Sequence, residues 1–352
     1  MVVSSNNRYE NLDGLKVIAA FGIVAMHVSS NMGHPLTSEF ATNVIGSMTH
    51  FVKLFLILSG FGMCCGYYEK FKSGKVNLEK FYIRRFEKNF PFFALLVCID
   101  TLFSIKTVLW RDVFASLTMA FNLMPSHEMS VIGVGWTLGV IFVFYFMFPF
   151  YVFLLSTKKR AWFTVIICFV LNWCCCNYFE SVGKTDGANF LFLSVYFVIG
   201  GILYLYKDYI QEKVSRIPTF VILLATAVIT MTWYLIPANE FSLFFTVKTS
   251  ILFAMWVMFA ISQPMKLLGN SFTKTLSQVS LEVYLSHMMI FRVVEKLGIA
   301  DRINNRNVAY GIVLLLTIVL TIVFALIAKR VIDIYFRRLK KAERLKSDRD
   351  YR

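Results

Sequence analysis

The chain has 352 residues, of which 57% are hydrophobic and 16% charged, with a formal net charge of +15 and a mean hydropathy of +0.63. A soluble domain carries ~25% charged residues, so an ordinary soluble protein is excluded. The apolar residues form continuous runs rather than alternating ten-residue segments, which favours an all-α membrane bundle over a β-barrel. The cations sit mainly in the short segments between runs and at the C-terminus, with no recognisable nucleic-acid-binding motif.

The first run spans residues 14–33 and follows a polar N-terminus. It is longer than a signal-peptide core and lacks a clear small-residue cleavage site, so it is expected to be retained. It carries Lys16 near its start and His27 well inside. At ~100° and ~1.5 Å per residue, the two side chains lie on nearly the same face and ~16 Å apart along the axis. Lys16 is then near one membrane surface and His27 about halfway through the ~30 Å hydrocarbon core. An ionisable group inside a membrane costs several kcal/mol unless it faces an interior, so His27 marks a functional site by default. The plain alternative is a hydrogen bond to a neighbouring helix.

Nine further runs are predicted to be spans, at 46–68, 90–108, 136–156, 162–179, 188–206, 218–236, 243–262, 280–297 and 309–329. An even number puts both termini on one side, and the segments on that side hold 27 of the 36 Lys and Arg residues. The positive-inside rule makes that side the cytoplasm. The expectation is a polytopic bundle of about ten transmembrane helices, multi-pass in the cytoplasmic membrane, with residues 1–352 as a single integral membrane domain. The basic tail 329–352 reads as an anchor against anionic lipid. Trp110 to Leu123, in the longest outer segment, reads as a helix lying on the outer surface. Further polar intrusions are Lys53, Asp100 and the pair Arg292/Glu295, whose i, i+3 spacing lets each satisfy the other. The seven cysteines lie in apolar runs without a CxxC pair and read as buried small residues. The histidines form no metal-ligand pattern, so no metal is expected.

Five stretches, in order along the chain, resemble the membrane acyltransferase-3 family. They are Leu12-Asp13-Gly14 with Lys16-x10-His27; Leu54 to Phe61 around Ser59-Gly60; Phe81 to Pro91 with Arg84, Arg85 and Lys88; Trp136-Thr-Leu with Tyr145 and Pro149; and Ser280-x3-Tyr284-Leu285-x-His287. There are three departures. The family often has arginine where this chain has Lys16 and Lys88, which keeps the charge but loses the bidentate fork. Many members carry a glutamate five residues after the tryptophan, where this chain has Ile141.

Read from the residues alone, Arg84, Arg85 and Lys88 form a basic cluster in the inner loop, with Pro91 at the start of the next helix. Such a cluster suits donor phosphates, and it also suits plain positive-inside topology. The resemblance implies that the phosphates belong to acyl-coenzyme A, most often acetyl-coenzyme A, used as a co-substrate with no permanently bound cofactor. It implies His27 as catalytic residue, drawing a proton from the acceptor hydroxyl or relaying the acyl group itself, Lys16, Arg84, Arg85 and Lys88 as donor-binding residues, and a glycan or lipid-linked glycan as acceptor. Asp13, Ser59, Trp136, Tyr284 and His287 are supporting positions. Ser59 with Gly60 reads first as a close-packing pair and second as a nucleophile. Trp136 reads equally as an interfacial tryptophan, and Tyr284 with His287 first as bundle hydrogen bonding. The reaction expected is transfer of an acyl group to a cell-surface polysaccharide hydroxyl. The alternative is a transporter or exporter of the glycan, against which no inverted repeat is visible.

Overall fold

The computed structural model describes residues 9–33, 36–104, 107–119, 121–124 and 131–350, with backbone alone from residue 340. His34 and His127, which carry no assigned role, lie outside the described residues. The helices are α1 (Asn11–Asn31), α2 (Glu39–Ser47), α3 (Phe51–Lys72), α4 (Leu78–Phe103), α5 (Trp110–Thr118), α6 (Trp136–Leu154) and α7 (Lys158–Val182). They continue with α8 (Phe190–Leu205), α9 (Lys207–Lys213), α10 (Thr219–Leu235), α11 (Leu243–Ser262), α12 (Ser271–Ser277), α13 (Ser280–Lys296) and α14 (Arg306–Asp350). No strand occurs among the described residues.

A helix lies at each of the ten expected positions. Six are long and apolar enough to cross a membrane: α1, α2 with α3, α6 with the turn before it, α7, α11 and α14 to Leu339. The pair α8 and α9, bent by 59°, makes a seventh if taken as one span. The apolar α10 is shorter, and α4 and α13 carry several charged side chains within their lengths. The molecule is a multi-pass helical membrane protein.

Local signals explain most helix ends. Asn77 accepts a hydrogen bond from the Lys80 amide at 2.8 Å and so starts α4 at Leu78. No breaker follows for thirteen residues, so the basic cluster is helical rather than a loop, and Pro91 lies inside α4 instead of opening it. A proline there removes one backbone donor, a loss a long helix tolerates with a kink. Thr157, Asn189 and Ser242 cap α7, α8 and α11. Gly183, at φ 62°, takes the left-handed conformation that ends α7. Helix α14 runs on for 45 residues, roughly 67 Å at ~1.5 Å per residue, so the basic tail continues the last helix far beyond the hydrocarbon core.

The tightest crossing joins α3 to α8. A Cβ at Gly60 would strike the Phe197 carbonyl, and one at Gly200 the Ile57 carbonyl. The packing reading of the Ser59-Gly60 pair is thus seen at Gly60. Helix α1 is the hub, packed on α3, α11, α12, α13 and α14. Its start is clamped where the Asn11 amide donates to the Gln263 carbonyl. Helix α5 is shorter than expected and does not lie free on a surface. Asp112, Val113 and Ala115 are buried, while Trp110 and Phe114 face outward.

Gly200→Ala should lower stability by about 1–3 kcal/mol, because the added methyl overpacks a backbone contact. Gly66→Ala, on the partner helix α3 but facing open space, should be neutral or slightly stabilising. Thermal unfolding in detergent checks both.

Candidate active site

A cavity of about 340 Å³ opens between α1, α3, α4, α6, α13 and α14. Its wall brings together Lys16 from α1, Ser59 from α3, Arg85, Lys88 and Asn89 from α4, and Thr137 and Tyr145 from α6. Glu282 and Tyr284 from α13 and Lys329 from α14 complete it. Four cations therefore meet one acid on this wall. Glu282 is held by Lys329 at 2.6 Å, and Lys329 also donates to the Gln278 carbonyl. Lys16 lies 3.7 Å from Asp13, a buried carboxylate that accepts the Ser277 hydroxyl at 2.7 Å. Lys88 stands within electrostatic reach of Arg85, Lys16 and Lys329, with Glu282 opposing them.

Arg85 is held by aromatic rings rather than by an acid. Its guanidinium sits 4.6 Å from the centre of the Tyr67 ring, 5.5 Å from Tyr145 and 5.7 Å from Phe81, which fixes the planar group by cation–π contact and leaves its charge uncancelled. Its Nε and the Asn89 Nδ2 are buried without a close hydrogen-bond partner among the described residues, although both side chains lie near the Tyr145 hydroxyl. Both nitrogens are donors only, and they lie one helical turn apart on α4. Buried donors are nearly always satisfied in a native protein, so this pair has capacity for an acceptor, from water or from a bound molecule.

A second cluster lies alongside. The rings of His27 and His287 are 5.1 Å apart. His287 is fully buried, and its Nδ1 is 2.6 Å from the Tyr284 carbonyl. A carbonyl only accepts, so Nδ1 carries the hydrogen and Nε2 keeps its lone pair, with no partner among the described residues. Tyr284 joins the two clusters. It lines the cavity, its ring is 6.0 Å from that of His287, and its hydroxyl donates to the Val134 carbonyl at 3.1 Å. The Thr137 hydroxyl must then donate to Tyr284, at 2.7 Å.

The turn that delivers Trp136 and Thr137 is strained. Ile132 has φ 44°, a left-handed conformation that costs a β-branched residue of order 1–3 kcal/mol. Its amide donates to Asp100 Oδ2 at 3.3 Å, while Arg292 Nη1 donates to Asp100 Oδ1 at 3.3 Å. Arg292 thus pairs with Asp100 across helices, not with Glu295 one turn away, because Asp100 is buried against α13 and needs the charge more.

A sequence-family model described as an acyltransferase domain matches residues 9–327. The chain belongs to the acyltransferase-3 family. No curated protein and no solved structure matches it. The family region covers all of the cavity wall except Lys329.

Of the residues the sequence singles out, this acyltransferase gathers Lys16, Ser59, Arg85, Lys88 and Tyr284 on one wall, with Asp13 directly behind Lys16. Arg84 is not part of that wall and is exposed, since it points about 100° around α4 from Arg85. His27 and His287 stand together outside the lining, and Trp136 is half-buried beside Thr137. Sequence reasoning missed Asn89, Glu282 and Lys329. Asn89 had a signal, its i+4 spacing from Arg85, and Glu282 another, as an acid at the start of an apolar span. Lys329 reads as one more topological cation. Among the described residues, no three His, Cys, Asp or Glu side chains gather as a metal site.

Asp100→Ala should cost about 1–3 kcal/mol, because it strips both the Ile132 amide and Arg292 of their acceptor. Asp100→Asn keeps an acceptor for the amide and loses only the ion pair, so its cost should be smaller. Unfolding temperatures of the two variants, with Trp136 emission as a local reporter, check this ordering.

Proposed function

We propose that this acyltransferase moves an acyl group, acetyl first among the candidates, from acyl-coenzyme A to a hydroxyl of a cell-surface or lipid-linked glycan at the cytoplasmic membrane. The observation that carries the reading is the pair of unsatisfied donors, Arg85 Nε and Asn89 Nδ2, in a cavity where Lys16, Lys88 and Lys329 add positive charge. Donor-only groups under excess positive charge suit phosphate oxygens, and coenzyme A carries several. Lys16, Arg85 and Lys88 hold those phosphates, Asn89 adds a neutral donor, and Arg84 serves the rim. The family assignment favours acyl transfer over glycan export.

In this reading ten helices span the membrane and both termini are cytoplasmic, so the cationic cavity opens to the cytoplasmic donor. The thioester arm runs along α1 from Lys16 toward His27, ~16 Å up the helix axis. His27 takes the proton of the acceptor hydroxyl as its oxygen attacks the thioester carbonyl. The tetrahedral intermediate collapses with loss of the coenzyme A thiolate, which recovers the proton from His27. An imidazole whose ordinary pKa is near 6.5 suits both transfers at neutral pH. His287 supports it. With its Nδ1 hydrogen committed to Tyr284, its Nε2 lone pair is open to an N–H of His27 when the two rings close, which leaves the other nitrogen of that ring as the base.

Three measurements test the proposal. Arg85→Ala should weaken coenzyme A binding by roughly tenfold to a hundredfold, the worth of one charge-assisted hydrogen bond, in protein that still inserts and folds. Unchanged affinity would assign the cluster to topology alone. His27→Ala and His27→Gln should both lose glycan acylation by ~10²–10⁴-fold while coenzyme A affinity holds. Near-normal acylation by a well-expressed His27→Gln variant would make His27 a packing residue. Tags at residue 5 and after Arg352 should be cytoplasmic, and one near Gly187 external. An external C-terminus would refute the ten-span arrangement.

A further inference from the structure

On the opposite face of α1 from Lys16 and His27 lies a larger cavity, about 490 Å³, walled by α1, the junction of α2 and α3, α10, α11 and α14. That is within the ~300–1,000 Å³ of typical small-molecule sites. Phe21, Phe51, Trp233, Phe253, Trp256 and Leu314 give the wall its character. The polar groups on the wall are already engaged by the protein. The Trp256 and Trp233 indoles donate to Thr230 at 3.0 Å and Thr249 at 3.1 Å. Thr230 donates to the Thr226 carbonyl, and Ser47 to the Val44 carbonyl while pairing with the Tyr234 hydroxyl. A water molecule needs two to four polar partners, and these walls offer it almost none. The space suits hydrocarbon.

The surroundings say where hydrocarbon enters. Helices α10 and α14 both line the cavity, α10 packing on α11 and α14 on α1 and α13. Their outer faces are exposed apolar surface, with Leu224, Met231 and Leu235 on α10 and Leu315, Val319 and Val323 on α14. In a membrane protein such faces meet lipid tails, so an entry between them leads sideways into the bilayer.

One end of the cavity is charged. His50 lines it and sits 3.0 Å from Lys53 Nζ, which in turn meets Glu240 at 2.8 Å. Burial alone would raise the Glu240 carboxyl, but the hydrogen bond from His50 and the Lys53 charge outweigh it and hold the group down to about 2. Glu240 is therefore an anion that neutralises Lys53. Lys248 has no such partner among the described residues. It lies 4.7 Å over the Trp233 ring and donates to the Trp233 carbonyl at 3.0 Å and to the Ile236 carbonyl. The pole carries net positive charge beside an apolar chamber.

We infer that this cavity holds a hydrocarbon chain of an anionic membrane phospholipid, entering between α10 and α14, with its phosphate at the Lys53–Lys248 pole. The assignment rests on the membrane character of the bundle and not on the acyl-transfer reading. Both lipid parts are matched, the chain by dry aromatic walls and the phosphate by a cation that the protein leaves without an acid.

The test is photo-crosslinking of the full-length protein in phosphatidylcholine nanodiscs, using phosphatidylglycerol with a diazirine-bearing chain as probe. Labels should fall on α11 between Leu252 and Trp256, where Leu252 and Phe253 are buried from the outer surface and line the cavity. Unlabelled phosphatidylglycerol should displace the probe severalfold better than phosphatidylcholine. Lys248→Gln should erase that preference while chain labelling remains. Two variants that fill the space from different helices, Ala25→Phe and Leu314→Trp, should each abolish α11 labelling in protein that elutes as a single species. Filled variants labelled as strongly as the parent would overturn the cavity site. Equal displacement by the two lipids would overturn the anionic head group.

Discussion

An ion among apolar helices costs several kcal/mol unless an opposite charge and hydrogen bonds meet it, and this constraint organises the whole bundle. Its solutions are mostly pairings between helices distant in sequence. Lys53 of α3 meets Glu240 before α11, Asp100 of α4 meets Arg292 of α13, and Glu282 of α13 meets Lys329 of α14. Each pairing joins two elements in one orientation, because breaking it leaves a charge uncompensated. What distinguishes the cationic cavity is that the pairing there is incomplete. Arg85 is caged by rings that fix its position without neutralising it, and the Asn89 amide beside it has no acceptor among the described residues. The other buried ions are paired, whereas here donors of Arg85 and Asn89 stay open beside three lysines, an arrangement suited to an anion.

The elements that were legible in the sequence are those whose signal is local. Ten helices lie where the apolar runs predict them, since a run of about 20 apolar residues has few other solutions in a membrane. The shared face of Lys16 and His27 follows from helical periodicity alone. Glycine beside Ser59 forecasts the close crossing that Gly60 makes with α8. What was illegible depends on partners far along the chain. Arg292 has an acid three residues away and takes one 192 residues away instead, because the energetics of burial decide, not spacing. Lys329 looks like tail charge until α14 carries it back to Glu282, 47 positions earlier. The helical continuity of α4 through Pro91 was missed for a different reason. Proline is a strong stop signal, and here an N-cap at Asn77 with thirteen unbroken residues ahead of it outweighs the one lost hydrogen bond.

Helix α1 separates two chambers of opposite character. One face presents Lys16 to the cationic cavity and His27 to His287, and the other presents Phe21, Gly22 and Ala25 to the apolar one. Neither face could shift without the other. Asn11 is tied to Gln263, Asp13 to Ser277, and the Ala25 carbonyl accepts the Tyr310 hydroxyl at 3.1 Å. Gly14 rests directly on the Leu268 backbone, where any side chain would collide. A rotation of one residue, ~100°, would bring Val17 to the polar wall and Val28 to His287. It would also push Lys16 toward lipid, a displacement the desolvation of that ammonium forbids. The register of α1 is therefore set twice, by polar groups on one side and by close apolar packing on the other. That double constraint is what lets an imidazole sit deep in the bundle at a fixed distance from the cations below it.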